Sequence, residues 1–152
     1  MAEPNEGAGP GYVVVRETGH GKFQQEVVAG RHRLVADEPA AAGGLDSGLN
    51  PYELLIASLG ACTAMTLRLY ADKKQIPLKR ALVRLHHSKT HAEDCAECET
   101  KSGMLDRIER VIVLEGELSD EQRIRLMEIA DKCPVHRTLK SEIDIRTSED
   151  RG

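Results

Sequence analysis

The stretch Asn50-Pro51-Tyr52-Glu53-Leu54-Leu55-Ile56-Ala57-Ser58-Leu59-Gly60-Ala61-Cys62-Thr63-Ala64-Met65-Thr66-Leu67-Arg68-Leu69-Tyr70-Ala71 decides how the chain is read. It combines helix-forming residues with almost no charge, and no charged side chain falls between Leu54 and Leu67. Asn50 suits an N-cap, and Pro51 suits the first helical position, where a missing N–H costs nothing. The helix is expected to run to about Lys74 and to stop before Pro77. A helix that is apolar nearly all round is buried on most of its surface. A thiol, Cys62, sits in its middle, and on position alone it packs as a small hydrophobe.

Composition bounds the rest. The chain has 152 residues, enough for one domain with a real core. Met1–Gly11 is polar, acidic and rich in Gly and Pro, and is expected to be a disordered tail before a single domain over residues 12–150. The core is poor in aromatics, with no Trp, one Phe and three Tyr. A chain of this kind gains core volume by sharing its apolar helix with a second subunit. A net charge of −4 lacks the basic footprint of a nucleic-acid binder. The tail lacks the basic and apolar regions of a signal peptide, and the uncharged Leu54–Leu67 run is short for a membrane span. The expected setting is the cytoplasm, with no membrane partner. In that setting, four cysteines point to redox, catalytic or metal chemistry before structural disulfides.

Around the helix the pattern is one of strands. Tyr12–Arg16, Lys22–Ala29 and Arg31–Asp37 read as strands separated by glycine turns. Residues 39–48 read as a loop. Leu78–Ser88 and Leu105–Glu117 read as two longer strands, with Arg107, Glu109, Arg110, Glu115 and Glu117 on a solvated face. Ser119 and Gln122 have capping-box spacing before a helix to about Lys132. Pro134 opens a short helix to Leu139, and Glu142–Thr147 reads as a last strand. Runs of strands before helices argue for an α+β fold with mainly antiparallel sheet.

The second thiol of interest is Cys133, in Lys132-Cys133-Pro134-Val135-His136-Arg137. A helix start and nearby cations lower a thiol pKa. The combination of Asn50-Pro51-Tyr52-Glu53-Leu54-Leu55, Ala61-Cys62 and a later Lys132-Cys133-Pro134-Val135 resembles the OsmC/Ohr family of osmotically inducible and organic-hydroperoxide-resistance proteins. The resemblance extends from about Tyr12 to Thr147. It implies an α+β fold of antiparallel sheets wrapped around long central helices in an intertwined homodimer. It also implies a thiol peroxidase acting on organic hydroperoxides, with Cys62 as peroxidatic and Cys133 as resolving thiol. The re-reductant would be a dithiol of the lipoyl type, and no cofactor is required.

That family activates its thiol with an Arg held by a Glu, and here the sequence departs from it. The usual Glu position is Tyr52, and the carboxylate comes one residue later, at Glu53. Nine residues before Cys62, about 900° along a straight helix, Glu53 falls on the opposite face, so as the candidate carboxylate it serves through a bent first turn or serves the partner subunit. For the Arg, the strand residue Arg33 is the candidate. A separate motif, Cys95-Ala96-Glu97-Cys98 with His91 upstream, could hold zinc or form a local disulfide. If it holds metal, the protein is a metal- or thiol-binding stress protein in which Cys62 is only core. A further alternative is a member of the fold with weak peroxidase activity.

Overall fold

The computed structural model describes residues 9–152; most of the expected N-terminal tail lies outside them. The chain divides into two compact units, the second beginning at Ile56. In the first, β1 (Val14–Glu17), β2 (Gln25–Ala29) and β3 (His32–Ala36) form an antiparallel sheet in that order. Val27 faces Leu34, and Ala29 faces His32 across a tight turn. Gly30 makes that turn possible, at φ 59°, where a side chain would strain the backbone.

The expected loop at residues 39–48 contains a 3-10 turn at Ala40–Ala42 and is organised by one carboxylate. Asp37 is buried, and its Oδ2 accepts from the Ser47 hydroxyl at 2.6 Å and from the Leu45 and Ser47 N–H groups. Its Oδ1 accepts from the Glu38 N–H at 2.8 Å. The Ser47 hydroxyl, with the backbone donors, holds the Asp37 carboxyl below the usual range against the opposing effect of burial.

The long helix, α1, spans Pro51–Lys73 as the sequence implied. Its start is doubly capped: the Glu53 N–H donates to Asn50 Oδ1, and the Asn50 N–H donates to Glu53 Oε2, each at 2.9 Å. In the second unit, β4 (Arg80–His91) and β5 (Met104–Glu115) pair antiparallel along their whole length. They are followed by α2 (Asp120–Ala130), with the expected Ser119–Gln122 capping box, and α3 (Pro134–Lys140). Leu67 and Ala71 of α1 pack in one cluster with Leu78 and with Leu126, Ile129 and Ala130 of α2, backed by Ile112 and Leu114 of β5. Fully burying a side chain such as Leu67 or Leu126 stabilises the fold by roughly 1.5–3 kcal/mol.

Gly60 lets α1 lie close to β4, because a Cβ there would stand 2.6 Å from Leu85 Cδ1. Two expectations are corrected. Residues 142–147 are not a strand: no strand of the described chain pairs with them, and Ile143 and Ile145 are exposed. A lone extended segment has no ladder to hold it. Nor is α1 buried on most of its surface within one chain. Met65 and Leu69 are 70% and 71% exposed and share a stripe with Ala61. At 23 residues the helix is also long and apolar enough, by length and composition, to cross a membrane, unlike the shorter uncharged run considered alone. Its opposite side, however, carries Thr63 and Leu67 at 0% exposure, as in a core helix.

Replacing Asp37 by Ala should lower the melting temperature at neutral pH, because four donors lose their acceptor. A carboxyl with a depressed folded pKa contributes stability above its unfolded value and loses it as pH falls through the folded one. The difference between wild type and Asp37→Ala in thermal melts should therefore shrink below about pH 3.8.

Candidate functional site: two thiols on an arginine junction

The site is built on the inner face of β5. Ile108, Arg110, Ile112 and Leu114 alternate with exposed neighbours, so the period of two places Arg110 in an apolar row. Its side chain is only 11% exposed. A buried guanidinium must find acceptors, and Arg110 finds four. Nη1 donates to Thr63 Oγ1 at 3.0 Å and to the Ala130 carbonyl at 3.3 Å. Nη2 donates to Asp131 Oδ1 at 2.7 Å and to His136 Nδ1 at 3.2 Å. One side chain thus joins α1, the end of α2 and the start of α3.

Cys133 lies within this junction and is fully buried. It is the N-cap of α3, with Pro134 at the first helical position. Its Sγ accepts from the His136 N–H at 3.3 Å and lies 3.8 Å from Thr63 Oγ1. Cys62, half-buried and one residue before Thr63, lies close enough to favour the Cys133 thiolate. Burial is the largest influence and pushes the Cys133 thiol up. The His136 N–H, Thr63, Cys62 and the Arg110 charge together overcome it, so the thiol lies below its ordinary value.

Thr63 has one hydroxyl hydrogen, which it gives to the Leu59 carbonyl at 2.7 Å. Arg110 donates to its oxygen, so the hydroxyl turns its hydrogen toward the Cys133 sulfur, 3.8 Å away, only by giving up the Leu59 carbonyl. His136 lies below its ordinary pKa, first through burial and then through the Arg110 charge, with Asp131 opposing. A neutral ring accepting at Nδ1 carries its proton on Nε2.

A cavity of about 470 Å³ opens on this junction. Arg110 and His136 stand on its wall with the apolar Leu59, Ile108 and Leu139. Cys95 and Cys98 also line it, and they are joined as a disulfide. In that state the pair offers no thiolate to zinc. His91 ends β4, and no group of three or more His, Cys, Asp or Glu among the described residues is arranged to hold a metal.

With this geometry in hand, a family model of OsmC-like proteins matches residues 44–148. The chain belongs to the OsmC family. A search of curated proteins finds no match to the sequence. Among solved structures, the chain is similar to an OsmC-like protein from Mycoplasma pneumoniae, at 20% identity and TM-score 0.64, over 85% of this chain and 84% of that one. It is similar to the organic hydroperoxide resistance protein OsmC of Legionella pneumophila, at 21% identity and TM-score 0.61, over 88% and 92%. It also matches the organic hydroperoxide resistance protein OhrB of Bacillus subtilis, at 21% identity and TM-score 0.59, with the same coverage. At these identities the likeness establishes the fold.

Of the residues singled out from sequence, this OsmC-family chain brings Cys62 and Cys133 together. Glu53 and Arg33 belong to the first unit, and both are engaged there. Glu53 caps α1, and the Arg33 guanidinium pairs with Glu26 Oε1 at 2.7 Å. The residues missed were Arg110, Thr63 and Asp131. Arg110 was assigned to a solvated face together with Glu109, although adjacent strand residues point to opposite faces. The signal was present in the row Ile108, Arg110, Ile112, Leu114, an arginine within an apolar alternation.

The Arg110 junction can be tested by titration. In Cys62→Ser protein with the Cys95–Cys98 bridge intact, the ultraviolet absorbance of the Cys133 thiolate should rise with an inflection below pH 9.0. Arg110→Gln should move that inflection upward. The folded thiol binds its proton less tightly than the unfolded one. The stability it contributes is therefore complete above the unfolded value and fades as pH falls through the folded value.

Proposed function

We propose that the protein is a thiol peroxidase that reduces organic hydroperoxides at the Cys62–Cys133 pair. The observation that carries this reading is the pair itself. Two thiols distant in sequence stand near enough for Cys62 to lower the Cys133 pKa, beside an oriented, mostly buried guanidinium. Membership of a family whose solved relatives include organic hydroperoxide resistance proteins agrees with it.

Each thiol has a role suited to its surroundings. Cys62 is the more accessible and takes the peroxide. Cys133, as its thiolate, takes the proton of the Cys62 thiol, and the Cys62 thiolate attacks the outer peroxide oxygen. The O–O bond breaks, the alkoxide takes that proton from Cys133 to leave as alcohol, and Cys62 becomes a sulfenic acid. The Cys133 thiolate, favoured by the His136 N–H and Arg110, then attacks the Cys62 sulfur. Water leaves and a disulfide forms. An external dithiol reduces it by exchange. Leu59, Ile108 and Leu139 give the organic group an apolar wall. Arg110 takes the place of the activating arginine for which Arg33 was the sequence candidate.

The lowered Cys133 thiol favours a second reading, in which Cys133 is the nucleophile and Cys62 resolves. Cys62→Ser should abolish hydroperoxide consumption under a dithiol reductant, and Cys133→Ser should leave a sulfenic acid on Cys62 that a dimedone-type probe labels. Label on Cys133 in Cys62→Ser protein would select the second reading. Undiminished turnover in both variants would sink the proposal.

The exposed Ala61, Met65 and Leu69 stripe favours an assembly of two copies through α1. Replacing Met65 and Leu69 by Glu should convert a dimer to a monomer in sedimentation equilibrium; a wild-type protein already monomeric would contradict that assembly.

A further inference from the structure

We propose that Cys95 and Cys98 are a second redox pair, which relays electrons from an external dithiol to the Cys62–Cys133 site. The inference rests on the thiol-peroxidase reading of that site. Its geometric basis is the shared cavity. The loop after β4 places Cys95 and Cys98 on the wall that also carries Arg110 and His136, the two residues that hold Cys133. Both loop cysteines are half-buried, whereas Cys133 is sealed at 0% exposure. A protein-borne dithiol arriving from outside can engage either loop sulfur, but in the site bridge only the half-buried Cys62 is open to it. Their Cα atoms are 5.4 Å apart, within the span a disulfide needs, so the pair closes without moving the backbone.

The transfer balances as two successive exchanges. One loop thiolate attacks a sulfur of the Cys62–Cys133 bridge. That bridge breaks, a mixed disulfide forms, and one site cysteine leaves as thiolate. The second loop thiol, deprotonated, attacks its neighbour's sulfur in the mixed disulfide. The Cys95–Cys98 bond forms and the other site cysteine is released. Two electrons pass to the site, which is reduced, and the two protons lost by the loop thiols are matched by those the site thiols take up. The external dithiol then reduces Cys95–Cys98 in the same way.

Charge sets the direction. A disulfide is the stronger oxidant where its reduced, thiolate form is stabilised. Around Cys133 the His136 N–H and the Arg110 guanidinium favour the thiolate. Next to the loop pair in sequence are Glu93, Asp94, Glu97 and Glu99, which disfavour one and outnumber the single Lys101, whose Nζ donates to the Cys98 carbonyl. Electrons therefore run from the loop to the site.

The test uses fully reduced full-length protein, freed of reductant and given cumene hydroperoxide. Wild type should consume roughly two equivalents per chain, and Cys95→Ser/Cys98→Ser protein roughly one. Mass-spectrometric mapping of wild type quenched after the first equivalent should find the Cys95–Cys98 bridge predominant. With a lipoylated protein as reductant, turnover of the double variant should fall by roughly tenfold while its single-turnover oxidation is unchanged. A wild type that consumes one equivalent and keeps Cys95 and Cys98 reduced would overturn the relay while leaving the peroxidase intact. Cys62→Ser protein that still forms the Cys95–Cys98 bridge with peroxide would overturn it too, because the loop would then be oxidised directly. A wild type that consumes nothing would instead overturn the peroxidase reading itself.

Discussion

A single guanidinium holds the candidate site together. Arg110 places a permanent charge on the apolar side of β5, and a charge in such a position is tolerated only when paired and hydrogen-bonded. Its four acceptors come from three elements, so satisfying Arg110 also fixes Thr63 on α1, the Ala130–Asp131 turn and His136 on α3. Cys133 sits inside that frame. The charge needs the frame, and the thiol benefits from both.

The rest of the second unit serves this arrangement. The full-length pairing of β4 with β5 sets Arg110 opposite Leu85, and Leu85 is the side chain over which Gly60 lets α1 close. That close approach brings Thr63 within reach of the guanidinium and puts Cys62 beside Cys133. The Leu67, Leu126 and Ile129 cluster keeps α1 and α2 in register. The cavity beside the junction then joins three kinds of chemistry on one wall: apolar side chains, cations and a second pair of sulfurs.

Local rules made much of this legible. Asn50, Pro51 and Ser119 with Gln122 marked helix starts that the structure has, because caps are decided by neighbours in sequence. Cys62 and Cys133 were drawn together by a family resemblance, not by spacing, since no local rule brings such distant positions into contact. Arg110 was misplaced because charge was read before alternation; the apolar row in which it stands outweighs the preference of arginine for water once acceptors are at hand. The Ile143 and Ile145 alternation looked like a strand, but a strand also needs an edge to pair with, and that is a tertiary fact. The exposed α1 stripe has the same origin: apolarity predicts a covered helix, but says nothing of what covers it.

The central claim is that Cys62 and Cys133 act as one redox pair. It is tested most directly in Cys95→Ser/Cys98→Ser protein, where no other thiol can accept the oxidation. Reduced protein would be given one equivalent of an organic hydroperoxide, and its disulfides mapped by mass spectrometry. A bridge between Cys62 and Cys133, formed as the peroxide disappears, is the result expected. Two free thiols beside unconsumed peroxide would contradict it.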